Sequence, residues 1–199
     1  MKNKTMFIKK LFMKLRVDVH ARDESGNVSL HHEKNKKRVE LLIQAGADVN
    51  AKNDFGSTPL FYADSKEIAE ILIRNGAHVN IQTKYGNTPL FSAKSKEVAE
   101  ILIQHGADVN AKNDFRSTPL FYVKFKDIAE ILIQNGADAH IKNEDNETPF
   151  EWHRRCGRSD LANFMEQKAF EKATKLEQEK LNQNIPQPQK SSNKPQYRL

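Results

Sequence analysis

The chain has one cysteine, Cys156, so it can close no disulfide within itself. A cross-linked framework is excluded as its source of stability, and a reducing compartment fits. Long apolar runs are missing too, since no stretch reaches the roughly 18 residues of a membrane helix. Between Met1 and Leu15, Lys9, Lys10 and Lys14 interrupt every apolar run. A secretory signal needs a continuous apolar core of roughly 7–15 residues, so none is expected. The expectation is a soluble, cytoplasmic protein without membrane insertion. Glycine never clusters into a phosphate-cradling loop: Gly46, Gly76, Gly106 and Gly136 stand singly, as helix terminators do.

Catalytic and metal-binding sets are equally sparse. His31 and His32 are neighbours on a short helix and point apart. His153 lies one turn from Cys156, with no third group or glycine-rich pocket beside them. Neither cluster offers the four ligands of a structural zinc site. No enzyme activity, metal, cofactor or small-molecule substrate is expected.

Positive charge is absent where an array that grips nucleic acid would carry it. Residues 46–147 hold 11 basic and 15 acidic side chains, a net of −4. The excess lies at the ends: +6 over residues 1–45 and +4 over residues 148–199. A positive stripe along the repeats is therefore missing, and nucleic acid is not expected as the main ligand. Basic ends alone allow only weak, salt-sensitive binding of that kind. The run Lys34 to Arg38 reads as a solvated helix face rather than a localisation or anion patch.

What the chain has is repetition. "TPL" begins at Thr58, Thr88 and Thr118, and "TPF" at Thr148, each 30 residues on. "GA" recurs at the same step from Gly46 to Gly136. A worn copy precedes them, with Val28-Ser29-Leu30 in place of Thr-Pro-Leu. Earlier still, Val17 to Gly26 reads as a half-unit whose only helix would be Met6 to Arg16.

Each unit has the same grammar. Thr58 is expected to cap a short first helix, with Pro59 at its first position. Asp64-Ser65 breaks that helix, and Ser65 and Ser95 can cap a second. The second helix, Lys66 to Arg74, carries Ile68, Ala69, Ile71, Leu72 and Ile73, more than one apolar stripe. It must be covered on several sides, which one unit cannot do and stacked copies can. The expected core is Leu60, Ile68, Ile71, Leu72, Leu90, Val98, Ile101, Leu102, Leu120, Ile128, Ile131 and Leu132.

The motifs "G-x-T-P-L" at Gly56–Leu60 and Gly86–Leu90, the "EIAEILI" helices and the "VNAKND" turn resemble ankyrin repeats, from about Val17 to Glu166. The resemblance implies an all-α, ankyrin-type solenoid of stacked helix-turn-helix units with projecting β-turn fingers. It also implies protein partners held by the fingers and the first-helix face. Three features depart from the family. The period is 30 against about 33. The shortfall sits at the end of the first helix, because Thr58 to Ile68 spans 10 residues and Thr148 to Leu161 spans 13. Phe61, Phe91 and Phe121 replace the usual histidine of "TPLH", and Arg116 replaces the glycine of Gly56 and Gly86.

The expected organisation is a half-unit or cap over residues 1–26 and the repeat array over 27–147. A full-length closing repeat follows over 148–168, then a helical extension over 169–184 and a disordered, Pro- and Gln-rich tail over 185–199. The candidate partner-binding residues are Asp54, Phe55, Ser57, Lys84, Tyr85, Asn87, Asp114, Phe115 and Ser117 at the finger tips. The recurring rings Phe55, Tyr85 and Phe115 either meet a partner or fold back on their own turns. The leading functional reading is a monomeric, non-enzymatic protein–protein interaction module. The alternative is a structural spacer whose basic tail recruits partners.

Overall fold

The 30-residue repeat folds as a turn, a very short first helix and a longer second helix, in a computed structural model that describes residues 18–183. The expected helix Met6 to Arg16 and the tail over 185–199 lie outside the described residues. Among those described there is no strand. The first helices are α1 (Ser29–His32), the 3-10 turns η1 (Pro59–Tyr62), η2 (Pro89–Ser92) and η3 (Pro119–Phe121), and α6 (Pro149–Arg155). The second helices are α2 (Lys36–Ala45), α3 (Lys66–Arg74), α4 (Lys96–Gln104), α5 (Lys126–Gln134) and α7 (Ser159–Gln183). First helices pack on first helices and second on second, so the core runs through the stack. The fold is the all-α solenoid that the repeats imply.

The expected threonine caps are corrected in three units. Thr58, Thr88 and Thr118 make no side-chain capping bond, and their hydroxyls are buried without a partner. The cause is the short period. In η1 the Phe61 N–H donates to the Thr58 carbonyl at 3.0 Å, three residues back, so no free donor faces the hydroxyl. In α6 the Trp152 N–H, four residues on, takes the Thr148 carbonyl instead. The Glu151 N–H is thereby left for the Thr148 hydroxyl, at 3.4 Å.

The second helices start and stop as their sequences require. Ser65 and Ser95 accept from the Ile68 and Val98 N–H groups at 3.4 and 3.3 Å. At the other end Gly76 lies at φ +92°, and the Ala77 N–H reaches back to the Leu72 carbonyl at 3.0 Å. Of the expected core, all but one residue is buried. Ile131 is only half-buried, and Ile133 is buried in its stead. The neighbour of α5 is α7, which covers Ile133 and donates Lys172 Nζ to its carbonyl at 2.5 Å.

Two expected outcomes test this packing. Leu102, wholly buried mid-stack, should cost about 2–5 kcal/mol when cut to alanine, measured by urea unfolding. A loss below about half a kcal/mol would refute stacked helices there. Arg116 holds φ 57°, where only glycine is unstrained. Arg116→Gly should therefore raise stability by about 1 kcal/mol in the same assay. An unchanged midpoint would show that the strain is relieved elsewhere.

Candidate functional site

Each finger is organised by the residue at its base. Asn53 is buried, and its N–H donates to the Ser57 carbonyl at 2.9 Å, closing the turn. Its Oδ1 accepts from the N–H groups of Phe55 and Ser57, both at 3.0 Å. Its Nδ2 donates to Asn27 Oδ1 of the previous finger at 2.8 Å and to the Tyr62 hydroxyl at 2.9 Å. Asn113 repeats all of this with Phe115, Ser117, Asn87 and Tyr122. In the middle finger Thr83 replaces the asparagine and Ser92 the tyrosine. Thr83 Oγ1 still accepts from the Tyr85 and Asn87 N–H groups at 3.2 Å. The cross-finger bond and its tyrosine partner are lost together.

Successive tips are joined by backbone. The Lys84 N–H donates to the Phe55 carbonyl at 3.0 Å, Asp114 to Tyr85 at 3.1 Å, and Glu144 to Phe115 at 3.0 Å. A Cβ on Gly56 would come within 3.0 Å of the Lys84 nitrogen, so glycine there serves close approach as well as its φ of +78°. The tips therefore form one continuous edge.

On that edge Phe55, Tyr85 and Phe115 are 50 %, 53 % and 45 % exposed, too much for rings that fold fully back onto the array. Asp54, Lys84 and Asp114 are also exposed, and Asn87 is half-buried. Ser57 and Ser117 are corrected: both are buried, and their backbones serve the turn, so they do not face a partner. The structure thus places seven of the nine candidates at or near the solvent edge and two beneath it.

Sequence reasoning missed three features. His31 is a retained "TPLH" histidine in the worn copy, at Leu30-His31. Its Nδ1 accepts from the Val28 N–H at 3.1 Å, and its Nε2 donates to the Ser57 carbonyl of the next unit at 3.1 Å. His153 likewise reaches the Leu120 carbonyl of the preceding unit at 3.0 Å. Burial pushes both imidazoles below their usual range, against the opposing pull of those carbonyls. The third feature is a ladder of Asn50, Asn80 and Asn110. Each donates Nδ2 to the glycine carbonyl of the next unit, at 2.8–2.9 Å. Each also accepts from an N–H two residues beyond that glycine, at 2.8–3.0 Å. Their 30-residue recurrence was the available signal.

The metal and catalytic readings gain nothing from this geometry. Among the described residues no group of three or more His, Cys, Asp or Glu could hold a metal ion. Cys156 is exposed, while His153 is buried and bonded to Leu120. No described helix is long and apolar enough to cross a membrane.

Comparison with protein families matches residues 27–113 to ankyrin repeats, in three copies. Comparison with curated proteins gives no match.

The histidines set a pH dependence. Their folded pKa values lie below the ordinary 6.5, so the unfolded chain binds more protons around that pH. Stability should be full above about pH 7 and fall as pH drops through 6.5 toward the folded values. Urea unfolding of a His31→Phe/His153→Phe double variant should show a flatter profile across that window. An equal slope in the variant and the parent would remove the histidines as its cause.

Proposed function

We propose that the chain, whose residues 27–113 match ankyrin repeats, is a non-enzymatic module that binds a protein partner along its finger tips. The observation that carries this reading is the row of half-exposed rings, Phe55, Tyr85 and Phe115, on tips tied to one another by backbone hydrogen bonds. An aromatic ring on a rigid turn offers large contact area with little side-chain entropy to lose. The bonds between tips hold the three rings at a fixed spacing before any partner arrives. Asp54, Lys84 and Asp114 stand beside the rings and supply polar contacts of both signs, with Asn87 at the margin. Ser57 and Ser117 play no part in this surface.

The test is Tyr85→Ala. Tyr85 is the central ring and the most exposed of the three. The full chain, with a photo-crosslinking residue at position 55, is used to capture partners, and their affinities are then compared for parent and variant. Affinity should fall by about 1–3 kcal/mol, as for a hot-spot aromatic. Thermal stability should change far less than for a core truncation. A folded variant with unchanged affinity would sink the ring's role as an anchor.

A further inference from the structure

The unit made of η3 and α5 breaks the repeat's own rules at the turn between its helices. Ser65 and Ser95 cap α3 and α4, but the equivalent residue of α5 is Phe125, which caps nothing. Its ring is 55 % exposed. Losing a serine cap costs about 1 kcal/mol. A phenylalanine at that position offers the helix start no cap in exchange. Where a sequence breaks a local rule without a folding gain, function is the place to seek the reason.

Beside that ring lies a groove of about 640 Å³ between η2 and η3. Phe91, Tyr122 and Phe125 form its apolar lining, with the Phe91 and Tyr122 rings 5.4 Å apart. Lys94 and Lys124 border it from successive units. Neither lysine pairs with a carboxylate among the described residues. One unit earlier the same position is Asp64, paired with Lys34 at 3.3 Å. The neighbouring lysines are occupied: Lys96 lies 3.6 Å from Glu100, and Lys126 sits over the Phe164 ring. Two carboxylates close to them in sequence serve their own helix starts. Asp127 accepts from the Ile128 N–H at 2.8 Å, and Glu97 is bonded to its own backbone and to Ser95. Two unpaired positive charges thus flank an aromatic hollow on an array whose repeats are net acidic.

We infer that this groove binds an acidic peptide segment, with an aromatic or aliphatic side chain against Phe125 and Tyr122 and carboxylates at Lys94 and Lys124. Packed helices of adjacent units lie about 8–10 Å apart. An extended peptide advances about 3.3 Å per residue. The two carboxylates therefore belong about three residues apart, on either side of the apolar one. The chain's own residues 184–199, with Lys190, Lys194 and Arg198 and no acid, have the wrong sign for this groove. The inference rests on the reading of the array as a protein-binding surface, but not on the finger tips.

The test is selection of displayed random 12-residue peptides on the full chain, with counter-selection on Phe125→Ser. That variant restores the capping residue of the other units, so its thermal stability should equal or exceed the parent's. Lost binding then cannot be ascribed to unfolding. Peptides that require Phe125 should carry Asp or Glu on both sides of an aromatic or aliphatic residue. A synthetic peptide of their consensus should lose at least about tenfold in affinity to Phe125→Ser and to a Lys94→Glu/Lys124→Glu variant. It should also weaken with added salt. Tyr85→Ala should leave it within about twofold, because the finger lies outside the groove. Failure to select any peptide, a neutral or basic consensus, or equal binding to Phe125→Ser would overturn the inference. So would a single-stranded oligonucleotide that binds the parent more tightly than the peptide does and is lost in Phe125→Ser. A consensus peptide lost in Tyr85→Ala but kept in Phe125→Ser would overturn this inference and leave the finger reading standing. The reverse result would support this inference and leave the finger reading to its own test.

Discussion

A 30-residue period leaves each middle unit room for a single 3-10 turn where α6 has seven helical residues. Much of the rest depends on that shortage. A 3-10 turn bonds three residues back, so the N–H that a capping threonine would seek is already taken by its own carbonyl. The hydroxyls of Thr58, Thr88 and Thr118 are stranded as a result. A buried, unpartnered hydroxyl costs about 1–3 kcal/mol. In the same units the residue at the histidine position is phenylalanine, buried to within 9 % in each. Burial of a large ring offsets the stranded hydroxyl beside it. Polar linkage between units moves elsewhere, to the asparagine ladder and the backbone bonds between tips.

The first helices at the two ends differ from the middle three. Both α1 and α6 are α-helical, and both carry a histidine that bonds to a neighbouring unit's carbonyl. The three 3-10 turns carry phenylalanine instead. Helix type and inter-unit chemistry thus change together along the chain. Protonation of His31 and His153 acts on the same division, because it weakens links at the ends that the middle units replace with phenylalanine.

How much of this was legible in the sequence follows from what each signal measures. Apolar periodicity reports burial, and it placed Leu60, Ile68, Leu102 and Leu132 correctly. It failed at Ile131 because the covering neighbour there is α7, whose sequence does not follow the repeat. Capping chemistry was read from residue type, which succeeded at Ser65 and failed at Thr58. Residue type names a possible acceptor, but only the turn geometry decides whether a donor is free. The glycine register at Arg116 and Asn146 was legible, since both residues have positive φ. Finger polarity alone could not tell Asp54, which faces solvent, from Ser57, which is folded under the turn. His31 was hidden by the erosion of its motif to Val-Ser-Leu-His.

Two departures from the repeat lie close together. Arg116 takes a glycine's conformation, and Phe125 takes a capping serine's place; both lie between Asn113 and α5. Each costs stability locally, Arg116 through its positive φ and Phe125 through the missing cap. A solenoid tolerates this because its stability is a sum over units and their interfaces. One unit can be weakened while Leu120, Phe121, Ile128 and Leu132 remain buried between its neighbours. The core of this unit is kept to the standard of the rest. Its two exposed positions, one at the finger and one at the turn, diverge. A stack built this way can alter what a unit presents to solvent without altering how that unit packs.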